Sequence, residues 1–272
     1  MFQDEFKRTE LCRLAGNARN FADTVGDIHR GPSCDACTEA NKLMNDARDV
    51  GILEKLIETP DNLGITPLWN ASFTGHLGIV ESLIKNNAAI DRMSIDGQTP
   101  LMRASINTNS NTIEIIELLL RHKADIHARC KKNETALSRA AENGRKETVK
   151  ILVIAGAQID QLSVENYTVL HMVAKCKYIV DGIKYVDYHG IVEWLLTQPI
   201  AKTIINNASN DHHHTPLTCA IEHNGDLKMV KLLVSGGADT SIEGGKGLTP
   251  LEWAINTGKK DIEKYLESVK AP

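Results

Sequence analysis

The stretch Asn210–Ala220, N-D-H-H-H-T-P-L-T-C-A, sets His212, His213 and His214 side by side ahead of a Thr-Pro-Leu. Three imidazoles could ligate a metal or move protons near neutral pH. A zinc site needs its ligands to converge on one ion at about 2.0–2.1 Å, whereas successive residues of a tight turn point in different directions. This run is therefore expected to be a solvated or partner-contacting turn, with no bound metal. A second set lies near the start: Cys12, His29, Cys34 and Cys37 supply four zinc-compatible side chains, and C-x-x-C is a genuine ligand spacing. The alternative is that Cys34 and Cys37 are a loop thiol and a helix-face thiol. The chain has no G-x-S-x-G, H-E-x-x-H, G-x-x-x-x-G-K-[ST] or dinucleotide fingerprint. No catalytic residue and no cofactor is assigned.

Composition narrows the function classes further. With 31 basic and 35 acidic residues the formal charge is −4, which offers no broad cationic footprint for nucleic acid. No apolar run approaches the length of a membrane span, and Met1 is followed by charged residues where a signal peptide would be apolar. Six cysteines scattered through helical patterns fit buried thiols of a reducing compartment. A cytoplasmic protein is expected.

The elements that position these residues emerge from periodicity. Thr-Pro-Leu or a near relative begins at Thr66, Thr99, Thr135, Thr168, Thr215 and Thr249, at intervals of 33, 36, 33, 47 and 34 residues. A small side chain follows five positions on, at Ala71, Ala104, Ala140, Val173, Ala220 and Ala254, and Gly75, Gly144, Gly225 and Gly258 end the first helical pattern. A second apolar run follows, as in IVESLI, IIELLL, TVKILV, IVEWLL and MVKLLV, ending in turns such as NNAAID and GGADTS. Threonine is suited to accept an orphan amide at a helix N-cap, and proline is preset for the first turn. Small residues let the second helix approach the first. Asn87, Gly156 and Gly237 fall where the second helix must end in a left-handed residue.

These residues make the chain resemble the ankyrin-repeat family. The resemblance implies an all-α solenoid of stacked helix-turn-helix repeats with β-hairpin or finger loops. It places a degenerate N-terminal cap at 38–60 and repeats starting near 61, 94, 130, 163, 210 and 244, after an extension at 1–37. The last repeat reads as a C-terminal cap, because Glu263 takes the position held by Val80, Ile116, Val149, Val192 and Val230. It further implies a monomeric, non-enzymatic scaffold that holds a partner protein on its fingers and the exposed side of its first helices, at Leu63, Ile65, Phe73, Ile95, Gln98, Lys132, Glu134, Tyr167, His212 and His214. Two other readings stay open. One is a secreted effector of an intracellular bacterium, acting in the host cytoplasm; the other is a metal-dependent or enzymatic module in residues 1–37.

Departures from the repeat sharpen the expectations. Three extra residues in I-N-T-N-S-N-T read as an ordinary turn. About ten extra residues in the fourth repeat carry Tyr178, Tyr185 and Tyr188, three of the five tyrosines, either as partner contacts or as local packing. The family's histidine position after T-P-L holds histidine only at His171, with Trp69, Met102, Ser138, Thr218 and Glu252 elsewhere. Most of the hydrogen-bond network tied through that histidine is therefore expected to be missing, with modest stability and fraying at the fourth repeat.

Overall fold

Thr66, Thr99, Thr135, Thr215 and Thr249 each stand in extended conformation ahead of a helix. The hydroxyl of each accepts the amide three residues on, at 3.2–3.4 Å. A cap of this kind contributes about 1 kcal/mol. Proline occupies the first turn after Thr66, Thr99, Thr215 and Thr249. Where it is lost, a reciprocal bond supports the start: the Thr135 amide donates to Ser138 Oγ at 2.9 Å, and the Thr168 amide to His171 Nδ1 at 3.1 Å.

The computed structural model describes residues 35–49, 51–176, 187–209 and 213–270. The chain divides into two units, Met1–Lys131 and Lys132–Pro272. In the first, helices α1 (Asp35–Asp49) and α2 (Leu53–Glu58) are followed by the pairs α3 (Pro67–Thr74) with α4 (Leu77–Lys85) and α5 (Pro100–Ala104) with α6 (Thr112–Arg121). Ala40, Met44, Ala47, Leu56 and Ile57 are the buried side of α1 and α2. Ala71 and Ala104 are fully enclosed, and Ile79, Val80 and Leu83 of α4 and Ile115, Ile116 and Leu119 of α6 complete this core.

The second unit contains the pair α7 (Ala136–Glu142) and α8 (Lys146–Ile154), then α9 (Val169–Lys175), α10 (Tyr188–Leu195) and the short α11 (Ala201–Ile204). After them come α12 (Pro216–Cys219), a π-helical turn (Ala220–Asn224), α13 (Leu227–Ser235), a 3₁₀ turn (Gly245–Gly247), α14 (Pro250–Asn256) and α15 (Lys260–Lys270). Ala140, Val173, Ala220 and Ala254 are again fully enclosed. On α15, Ile262 and Leu266 are buried while Glu263 is half-buried, a polar side chain where the preceding second helices carry enclosed valine or isoleucine.

The fingers are tight turns. Among the described residues there is no strand, only an isolated bridge between Gly244 and Leu248. Single backbone bonds close the fingers, from Asp61 to Ile65, Ser94 to Gln98, Ser163 to Tyr167, Ser209 to His214 and Gly244 to Leu248. Two residues before each repeat threonine the chain is left-handed, at Gly64, Gly97, Asn133, Asn166, His213 and Gly247. Asn87, Gly156 and Gly237 are also left-handed, and so is Lys123 at φ 64°.

Each irregularity of the repeat acquires a role in satisfying helix-end carbonyls, which have no partner within their own helix. The extra residues of the second repeat are a clamp: Asn107 Nδ2 donates to Phe73 O at 2.6 Å, Asn109 Nδ2 to Thr74 O, and Asn111 Nδ2 to Gly75 O at 3.2 Å. At the end of α7, Glu142 O accepts the Tyr188 hydroxyl at 3.1 Å and the Cys176 thiol at 3.3 Å. In the fifth repeat Gly225 stands ten positions after Thr215, where in the first, third and sixth the glycine stands nine positions after its threonine. The π turn absorbs that extra residue, with Gly225 N reaching back to Ala220 O at 2.7 Å. Lys259 Nζ then donates to Ile221 O and, at 3.3 Å, to Glu222 O.

Candidate partner-binding surface

The first unit presents its apolar residues at the finger tips. Leu63 is 54% exposed and Ile95 52%, and they are adjacent because the Ile95 amide donates to Leu63 O at 2.9 Å. Met93 joins them at 44%. Ile65, Phe73 and Gln98 are half-buried. Phe73 does not extend the Leu63 patch through a shared aromatic cluster at the tips. It tilts against Trp69 with ring centroids 6.1 Å apart, and the Arg103 guanidinium lies 4.0 Å from the Phe73 centroid and 4.6 Å from that of Trp69. Arg103 Nη1 also donates to Gln98 Oε1 at 3.2 Å. This cation–π arrangement fixes the flank of the first helices. Its only trace in the sequence is the i, i+4 spacing of Trp69 and Phe73, with arginine in the next repeat.

The substitutions at the histidine position keep part of the expected network in place. Trp69 Nε1 donates to Gln98 O at 3.0 Å, and His171 Nε2 bonds His214 O at 2.9 Å; each acceptor immediately precedes the next repeat's threonine. The two side chains thus tie one turn to the next in the same way. Ser138, Thr218 and Glu252 retain the local half, accepting the amide of their own N-cap threonine at 2.8–2.9 Å. The expectation of a reduced network is amended at one position, where Trp69 supplies the turn-to-turn tie in place of histidine; the bonds of Ser138, Thr218 and Glu252 are to their own N-cap threonine. Because the Thr168 amide must donate to His171 Nδ1, Nε2 carries the ring proton and donates to His214 O. Burial holds the His171 pKa down to about 4, so the ring is neutral.

Two residues expected to meet partners are internal in the second unit. His214 is 3% exposed, contrary to its expected place at a finger tip. It sits one position before Thr215, where the chain has already turned inward, with Nε2 3.0 Å from Glu222 Oε2 and its ring 5.5 Å from that of Trp253. Tyr167 is likewise buried, stacked on His171 at 5.4 Å with Lys175 Nζ 4.7 Å from its ring centroid. His213 is exposed. Lys132 is exposed, and half-buried Glu134 pairs with Arg139 at 3.3 Å. Tyr188 is half-buried and tied to Glu142 O, which favours the local-packing alternative for this tyrosine. His212, Tyr178 and Tyr185 lie outside the described residues, as do Cys12, His29 and Cys34; Cys37 falls in the first turn of α1.

Among the described residues, no group of three or more His, Cys, Asp or Glu side chains is placed to hold a metal ion, and no helix is long and apolar enough to cross a membrane. Burial pushes the Cys176 thiol up to about 11, so it stays protonated at neutral pH and is a poor nucleophile. The Tyr188 hydroxyl is raised as well, again by burial. His189 and Asp226 form a close, largely buried pair, and Asp226 caps α13 by accepting the Lys228 amide at 2.8 Å. These polar groups are engaged in holding repeats together.

A family model described as ankyrin repeats matches the chain in three copies, over residues 43–130, 108–196 and 183–270. A segment of 61 residues, 22% of the chain, is 38% identical to a protein of Rickettsia bellii (strain RML369-C) named for ankyrin repeats. The match spans 36% of that relative, so the chain covers about a third of its length. Among solved structures, the human ASB11 ankyrin repeat domain is similar in fold, with a TM-score of 0.66 at 20% identity over 84% of this chain and 98% of that one. A chain in the complex of the predatory endopeptidase Bd0816 from Bdellovibrio bacteriovorus with immunity protein Bd3460 gives a TM-score of 0.61 at 26% identity, over 78% of this chain and all (100%) of that one.

Proposed function

Because this chain belongs to the ankyrin-repeat family, we propose that it is a non-enzymatic scaffold that holds a partner protein on its fingers and the exposed flank of its first helices. The observation that carries this reading is the exposure of Leu63, Met93 and Ile95 at the finger tips of the first unit, whose other large apolar side chains are mostly withdrawn from solvent among the described residues. Half-buried Ile65 follows Leu63 on the same finger, and the Arg103 stack fixes Phe73 on the flank of the first helices. Rigid display lowers the entropic cost of association. One of the similar structures is itself a complex of two proteins, which supports binding as the use of this fold. No reaction is assigned: buried His171 and half-buried Cys176 are both neutral and hydrogen-bonded within the repeats.

The test is photo-crosslinking. A photoreactive side chain placed at Leu63 is expected to trap a partner in cells of the source organism, and one placed at Ile154, exposed at the end of α8, is not. Trapping from Ile154 with none from Leu63 contradicts the assignment of the face. Alanine at both Ile65 and Phe73 is expected to reduce trapping from Leu63 while leaving the helical signal unchanged.

A further inference from the structure

The last helix pair of the second unit is polar on one helix and apolar on the other. Six residues after its repeat threonine, Ile255 is 53% exposed, whereas Ala141, Ala174 and Ile221 at the same place are fully enclosed. Two residues after the threonine, Leu137, Leu170 and Leu217 are buried and Leu251 is half-buried. In the preceding repeats a helix encloses these positions: α9 packs on α7, α12 on α9, and α14 on the π turn that continues α12. Among the described residues, no helix follows α15 to cover α14 in the same way.

The second helix of the pair carries charge on the corresponding side. Glu263 is half-buried where Val149, Val192 and Val230 are fully enclosed. One turn on, Glu267 is exposed where Val153, Leu196 and Val234 are half-buried. Lys264 takes the place of Lys150, Glu193 and Lys231, a position charged throughout the unit and thus outside the stacking side. Exposed Lys260 and Asp261, at the start of α15, are opposite in sign. Residues four apart share a helix face, and α14 packs on α15. An apolar stripe, Leu251 with Ile255, therefore runs beside an acidic one, Glu263 with Glu267.

We propose that this end face binds one basic amphipathic α-helix of a partner protein, which lays an apolar stripe on Leu251 and Ile255 and sets Lys or Arg side chains against Glu263 and Glu267. The helical form follows from what covers the equivalent positions elsewhere in the unit, and the cationic flank from carboxylates at positions that are otherwise apolar. A complete further repeat fits less well, because its second helix would bury those carboxylates against apolar side chains. A second copy, stacked first helix on first helix, would set the same carboxylates against their own equivalents. Two anchors and two charges suit a small, transient contact, below about 1,200 Å². The surface belongs to the second unit and does not depend on the finger assignment in the first.

The probes are fluorescein-labelled, alanine-rich peptides of about 18 residues, long enough to hold a helix, with leucines at i, i+4 and i+7 and lysines along either flank. Control peptides replace the lysines with glutamate, the leucines with serine, or a central alanine with proline, which breaks the helix. Titrated against the full chain by anisotropy, at least one lysine-flanked helix is expected to bind more tightly than every control, and to weaken as salt rises. Ile255→Ser and the double variant Glu263→Gln, Glu267→Gln are each expected to weaken it about tenfold or more. Thermal melting matching the parent verifies the fold, and Glu267→Gln alone, at an exposed position, gives the same direction if the double variant melts early. Equal binding of the proline or glutamate peptides overturns the helical or the basic ligand respectively. Binding that ignores Ile255 and both glutamates overturns the face, and absence of binding by every peptide overturns the inference. Ile255-dependent self-association in sedimentation, without peptide binding, overturns it in favour of a second copy. Crosslinking from Leu63 remains the separate test of the fingers.

Discussion

Trp69 shows how one residue can take over another's task. Its indole N–H reaches Gln98 O, as the imidazole of His171 reaches His214 O, although tryptophan and histidine look unrelated at that position. Trp69→Phe is expected to cost about 1–3 kcal/mol, because it strands a partly buried acceptor as well as removing a bond. Urea unfolding measures it, and a midpoint unchanged from the parent contradicts the tie. His171 gives a pH signature. Its folded pKa of about 4 lies below the ordinary 6.5 of the unfolded chain, so the unfolded state binds the extra proton between those values. Its contribution is intact above pH 6.5 and is lost progressively toward pH 4, by on the order of 3 kcal/mol. The slope of stability against pH in that window is expected to flatten by about one proton in His171→Gln. Lys123 occupies a left-handed position filled elsewhere by asparagine or glycine. Lys123→Gly is expected to raise stability by about 0.5–1 kcal/mol, read as a higher melting temperature.

At the scale of elements, helix starts were legible and helix ends were not. Thr-Pro announces a helix through local chemistry alone, and the enclosed row from Ala71 to Ala254 follows from its period. The Asn107, Asn109 and Asn111 clamp could not be read in the same way. Its acceptors lie 34 to 36 residues away, and nothing in I-N-T-N-S-N-T says which carbonyls it will face. The inward turn of His214 was hidden for a related reason: a histidine triplet looks polar throughout, yet the last member occupies the position of Tyr167, where the finger re-enters the core. The π turn was countable as one residue too many before Gly225, but its companion Lys259 is set by the following repeat. Lys259→Met is expected to lower stability by about 1–2 kcal/mol, because helix-end carbonyls of the π turn lose their donor. Equilibrium denaturation checks this, and an unchanged unfolding free energy contradicts the role.

At the scale of the molecule, each repeat buries its small-residue face, and within each unit the surface least committed to stability is the exposed tips of the fingers. Polar chemistry concentrates between helices, at His171, His189 with Asp226, and Tyr188 with Glu142, where it fastens one repeat to the next. On the fingers of the first unit, by contrast, Leu63, Met93 and Ile95 are exposed apolar side chains. This separation is the physical basis for reading the chain as a holder of another protein. Hydrogen–deuterium exchange of the full chain with and without its crosslinked partner tests it most directly. The account predicts new protection at residues 62–65, 93–98 and 129–132, with the second helices α4 and α6 unchanged. Protection confined to those second helices, with the finger amides exchanging as in the free chain, contradicts it.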